Sequence, residues 1–162
     1  MPLMKSSLSQ DLESLFESRP SSVAEAAAKW AKAYVAYAGS AQSGASSLPV
    51  TAPAGLSLLT GAFTGGLQAL SPAGAAALMA QGVTAFWTAM VWVGPTAAGT
   101  TLSPGNFALA GALGAVFSDT AQKSEGDKAR QIADAFDAGA KLVMVSDVPF
   151  VQPAPPIVAP IS

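Results

Sequence analysis

Apolar residues recur at helical spacing along most of the chain. Leu8, Leu12, Leu15 and Phe16 share one side of a segment spanning 8–18, and Pro20 closes it. A second helix begins at Ser22, where Ser22-Val23-Ala24-Glu25 has the form of a capping box. The serine oxygen accepts from an orphan amide while the glutamate reaches back to the helix start. Val23, Ala27, Trp30, Tyr34 and Tyr37 then form a stripe, with Glu25, Lys29 and Lys32 opposite. Glu25 precedes Lys29 by one turn, the favourable order for an ion pair. Residues 39–53 are rich in Ser, Gly and Ala and predict a loop, too short and too mixed to separate two domains.

Helical spacing resumes over 54–70, where Leu56, Leu59, Phe63, Leu67 and Leu70 occupy a narrow arc beside Ser57, Thr60, Thr64 and Gln68. Gly61, Gly65 and Gly66 interrupt it, and a helical glycine costs roughly 1 kcal/mol relative to alanine. The Gly61-Ala62-Phe63-Thr64-Gly65 spacing matches the small-xxx-small pattern and predicts close helix packing. Ser71-Pro72 is a helix start, and the helix is expected to run to Val93, where Gly94-Pro95 ends it. Its second half is apolar nearly all round (Val83, Phe86, Trp87, Met90 to Val93), which suits a central position. Ser103-Pro104 repeats the start signal for a helix bearing Phe107, Leu109, Leu113, Val116 and Phe117. Asp127 to Ala138 is amphipathic, with Ile132, Ala133 and Phe136 inward and Gly139 as expected C-cap.

Leu142, Val143, Met144 and Val145 read as a strand, which needs a partner for its backbone in another segment or another chain. Pro149, Pro153, Pro155, Pro156 and Pro160 then impose an extended arm, with Ile157, Val158 and Ile161 interspersed. The expected fold is mainly α: a bundle of about five to six helices with one C-terminal β-strand and an extended Pro-rich arm. Residues 1–148 form a single domain ending in the strand, and 149–162 form the arm.

Charge changes this picture most. The chain has 162 residues, 51% of them hydrophobic, and a formal net charge of −2. Yet no Asp, Glu, Lys or Arg occurs between Lys32 and Asp119. A free-standing domain coats its exterior with both signs of charge, so this half of the chain must be covered by its own fold, by copies or partners, or by lipid, or be kept wet by Ser, Thr, Gln and Gly. No basic patch favours nucleic acid. The N-terminal residues lack the apolar core of a signal peptide.

Candidate chemistry is sparse. With no cysteine and no histidine, thiol nucleophiles, disulfides, the commonest zinc ligands and the usual neutral-pH base are excluded. Asp134 and Asp137 lie three apart on one helix and could form an acid–base pair or hold a hard cation. Beside Asp127, Lys128 and Arg130 they read better as a solvated helix face. Neither phosphate-loop pattern occurs. No catalytic, cofactor-binding or metal-binding residue is assigned.

Three features favour subunit contacts: the uncharged half needs cover, the strand needs a partner and the arm needs a surface. Head-to-tail contacts in a closed ring satisfy all three. The expected contact residues are Leu142, Val143, Met144, Val145, Pro153, Pro155, Pro156, Ile157, Val158 and Ile161. The helix Ala24 to Tyr34, the stretch Thr84-Ala85-Phe86-Trp87, and Lys141-Leu142-Val143-Met144-Val145 followed by a Pro-rich arm resemble small structural proteins of tailed phages and related contractile particles, especially neck, connector and tail-completion components. The resemblance implies a non-enzymatic virion protein, assembled in the host cytoplasm, forming a homo-oligomeric ring at the head–tail junction and contacting other virion proteins. The alternative is a membrane-active protein of holin type at the inner membrane. For this, uncharged residues 73–93 would extend about 30 Å as one helix.

Overall fold

In the computed structural model the described residues are 3–41, 48–50, 53–93, 100–102, 106–147 and 157–161. They are mainly helical, with six helices: α1 (Lys5–Ser18), α2 (Val23–Ala38), α3 (Pro53–Gln68), α4 (Pro72–Ala89), α5 (Asn106–Ser118) and α6 (Glu125–Ala140). Each helix packs on the next in sequence, and α6 closes the circuit by packing on α1.

The helix starts follow their capping chemistry. Ser22, Ser71 and Ser124 each accept a hydrogen bond from the backbone N–H three residues on, which satisfies one orphan donor per helix. Glu25 does not close the box on Ser22 as the motif predicts. Its Oε2 accepts from the Ser21 backbone N–H at 3.0 Å and the Ser21 hydroxyl at 2.7 Å, one residue earlier. α1 ends where Arg19 turns left-handed at φ 44°, its N–H donating to the Phe16 carbonyl.

Two helix ends differ from the sequence expectation. α4 stops at Ala89, and Val91–Val93 (β2) is extended and pairs antiparallel with Leu48–Val50 (β1). A run with two β-branched valines before Gly94-Pro95 gains more from a ladder than from the last helical turn. α6 continues through Gly139 to a cap at Lys141. Gly139 is therefore a helical glycine, and an added Cβ there would lie 3.1 Å from Leu109 of α5. It permits close approach instead of terminating the helix. Beyond α6, backbone pairing sets Met144–Asp147 (β4) antiparallel between Thr100–Leu102 (β3) and Ile157–Pro160 (β5).

The core is built around aromatic rings. Phe136 lies 5.0 Å from Tyr34, 6.0 Å from Phe63 and 6.2 Å from Trp30, centroid to centroid. Tyr34 continues the cluster to Phe86 and Trp87. Tilted and edge-on geometries of this kind add about 0.5–1.5 kcal/mol per pair beyond burial. Leu8, Leu12, Leu59, Met79 and Leu113 fill the remaining layers, all fully buried.

Close packing between α3 and α4 rests on different glycines from those of the small-xxx-small motif. Gly61 faces open space, whereas a Cβ on Gly82 would collide with Ala62, and one on Gly66 would meet Met79 Cγ at 2.7 Å. Gly→Ala substitution should thus have opposite signs at two helical positions. Gly61→Ala is expected to stabilise by up to about 1 kcal/mol through helix propensity. Gly82→Ala is expected to destabilise by about 1–3 kcal/mol because the helices must separate. Denaturant midpoints of the two variants check this; equal shifts would contradict the packing.

Candidate interaction surface

Because the helices pack in sequence order, the uncharged run becomes a contiguous half of the bundle. All ionisable side chains in the helices belong to α1, α2 and α6, which are neighbours, while α3, α4 and α5 carry none.

The charged half is tied by surface pairs: Lys5–Asp134 at 2.8 Å, Glu25–Lys29 at 2.9 Å and Asp119–Lys123. Hydrogen bonds from Ser21 and Lys29 hold the Glu25 carboxyl down at about 2, and Lys123 lowers that of Asp119. Lys5 is raised by its bond to Asp134. Such exposed pairs contribute little to stability individually. Asp134 and Asp137 do not act together. Asp134 turns to Lys5, whereas Asp137 is buried, accepting from the Tyr37 hydroxyl at 2.9 Å and pairing with Lys141 at 2.7 Å. Asp137 is the one buried acidic or basic side chain among the described residues, and helical spacing alone did not distinguish it from its exposed neighbour. Nearby, Trp87 Nε1–H donates to the Tyr34 hydroxyl at 2.8 Å. Burial raises both tyrosines far above their ordinary range, and for Tyr37 the adjacent Tyr34 and Asp137 add to it.

The uncharged half divides into two faces. Its inner face is covered by the chain itself: Leu59, Phe63, Met79, Val83, Phe86, Trp87, Leu109 and Leu113 are buried. Its outer face is not. Leu56, Leu58 and Leu78 are 40%, 52% and 39% exposed, Phe107 is 90% exposed and Leu70 wholly so. The polar arc expected to keep this face wet is weaker than its composition suggests. Thr60, Thr64, Thr84 and Thr88 each donate their hydroxyl to the carbonyl one turn back in their own helix, at 2.8–3.0 Å. That bonding satisfies the hydroxyl locally and leaves less of it for water.

A groove of about 310 Å³ opens at the α3–α4 turn, lined by Trp30, Leu67, Leu70, Pro72, Met79 and Phe117 among others. No lining residue is ionisable.

The expected contact residues are distributed unevenly. Val143 and Ile161 are buried in the chain's own core, joined by an Ile161 N–H to Val143 carbonyl bond of 3.2 Å. Leu142 lies in the turn after α6 and is 45% exposed. Met144 and Val145 pair through backbone with Leu102 and Thr101 on one side and Pro160 and Ala159 on the other. Ile157 and Val158 pair with Asp147 and Ser146. Pro153, Pro155 and Pro156 fall in 148–156, outside the described residues. Sequence reading missed Leu58, Leu78 and the outward turn of Leu70 and Phe107. Leu58 and Leu78 sit off the inward arcs, and that offset was the available signal.

The single spanning helix over 73–93 is overturned by the break at Met90. α4 has 18 residues, and no helix among the described residues is long and apolar enough to cross a membrane. The chain matches no protein-family model, and no curated protein or solved structure matches it.

Proposed function

We propose that the chain is a non-enzymatic structural subunit of an oligomeric assembly, a virion protein of neck, head–tail connector or tail-completion type. Its partners in this reading are copies of itself in a ring and neighbouring virion proteins, and its place is the virion, assembled in the host cytoplasm. One observation carries the proposal: the charge-free helices α3, α4 and α5 lie side by side and expose leucine and phenylalanine where a lone subunit would carry charge. Association depletes the core of an interface of charge in the same way. Strand β4 and residues 157–161 pair within the chain itself, so the secondary contact laid against a neighbour falls to residues 149–156 of the arm, where prolines stand among apolar residues.

The test places charge on the outer face without touching the core. Leu58→Lys combined with Leu78→Lys is expected to leave the helical circular dichroism unchanged, because substitutions at such half-exposed sites shift stability by only about 0.5 kcal/mol. The particle mass by light scattering should fall. An undiminished mass would remove the uncharged face from the assembly.

A further inference from the structure

Two features of the uncharged half are complementary in shape and chemistry, and they stand at opposite ends of one helix hairpin. α4 and α5 run antiparallel: a Cβ on Gly114, late in α5, would touch Ala76, early in α4. Phe117 accordingly lines the groove at the start of α4, together with Pro72 and Met79. Phe107 begins α5 ten residues earlier, so it stands about 15 Å away along the helix. It is 90% exposed, an orientation that wastes a ring of this size in water.

We infer that Phe107 of one copy seats in the Trp30–Leu67–Leu70–Phe117 groove of the next, a head-to-tail contact that deepens the proposed assembly and rests on it. Volume permits the fit. The groove measures about 310 Å³, and an apolar cavity of about 150 Å³ already holds a benzene ring. Charge permits it as well. The groove lining contains no ionisable group, and the residues flanking Phe107 in α5 carry none, so docking strands no charge. Docking against the opposite side of a copy would bury the ion pairs of α1 and α6 instead. Knob and groove lie at opposite ends of the α4–α5 pair, so each copy can accept one neighbour while entering another. Such heterologous contacts close into rings or extend as filaments.

The experiment follows the mass of the full-length chain by sedimentation velocity, alone and in mixtures. The wild-type chain is expected to form particles of more than two copies. Phe107→Ser and Leu70→Asp alter only exposed side chains and should keep the helical spectrum. Each should weaken association at least ~10-fold, the loss typical of a central anchor. Mixed together, they should form two-copy particles, since the Ser variant retains a groove and the Asp variant retains a ring. Wild-type particles of unchanged mass in both variants would overturn this contact while leaving assembly standing. A mixture that stays monomeric would overturn it too, and a wild-type particle of two copies would overturn the head-to-tail geometry. A monomeric wild-type chain would overturn the assembly reading itself.

Discussion

Phe136→Ala is expected to lower the free energy of unfolding by about 3–5 kcal/mol, the usual range for deleting a buried ring. The side chain is 1% exposed and touches rings from both α2 and α3, namely Trp30, Tyr34 and Phe63. It is also the large side chain through which α6 reaches the centre of a circuit that α6 itself closes onto α1. The resulting cavity is walled by rigid rings on separate helices, which limits collapse and favours the upper part of the range. Small domains hold about 5–15 kcal/mol in total, so the variant would lie near its threshold of stability. Guanidinium unfolding followed by circular dichroism measures it. A loss below about 1 kcal/mol would contradict the central place given to this ring.

Raising the pH should leave both tyrosines protonated until the fold gives way. Tyr34 and Tyr37 are the only tyrosines in the chain, so phenolate absorbance reports on these two sites alone. Burial raises both, and Tyr37 is raised further by Tyr34 and by its hydrogen bond to Asp137. The sign follows from linkage. The unfolded chain releases these protons near the ordinary value of 10.0, whereas the folded chain holds them to higher pH. Stability from this source is therefore complete below 10 and declines above it, by about 1.4 kcal/mol per pH unit for each tyrosine. The expected result is one alkaline transition in which phenolate absorbance and loss of helix coincide. A reversible titration of either tyrosine near 10 in the folded protein would contradict the buried thread of Tyr34, Tyr37 and Asp137.

The helices were legible because their signals are local. Serine caps at Ser22 and Ser71 and the period of apolar residues fixed existence and type, and Trp30, Tyr34, Tyr37, Ile132 and Phe136 fell inward as their spacing requires. What failed were inferences that depend on a neighbour. Gly139 looked like a cap but is a helical glycine that admits Leu109, and Gly61 looked like a packing surface while Gly82 and Ala62 make the contact. Composition gave α4 another turn, but the valines at 91 and 93 have a ladder available with Leu48–Val50. Asp137 was indistinguishable from Asp134 until Tyr37, a hundred positions away in sequence, supplied its partner.

The absence of charge over 33–118 was plain in the sequence, but its meaning depended on topology. Had the helices interleaved, the same residues could have been dispersed through a charged surface. Packing in chain order gathers them instead, and threonine hydroxyls turned back on their own helices lower the polarity of the result. The inner face is fully accounted for within one chain. The outer face, with Leu58, Leu78, Leu70 and Phe107, is not.

In the proposed assembly this outer face is covered by other protein chains. The most direct measurement is the mass of the purified, detergent-free chain by sedimentation equilibrium across a dilution series. A defined multimer that dissociates on dilution is expected, with exposed apolar dye sites appearing as it does. A monodisperse monomer that remains well behaved at the highest concentration would contradict it.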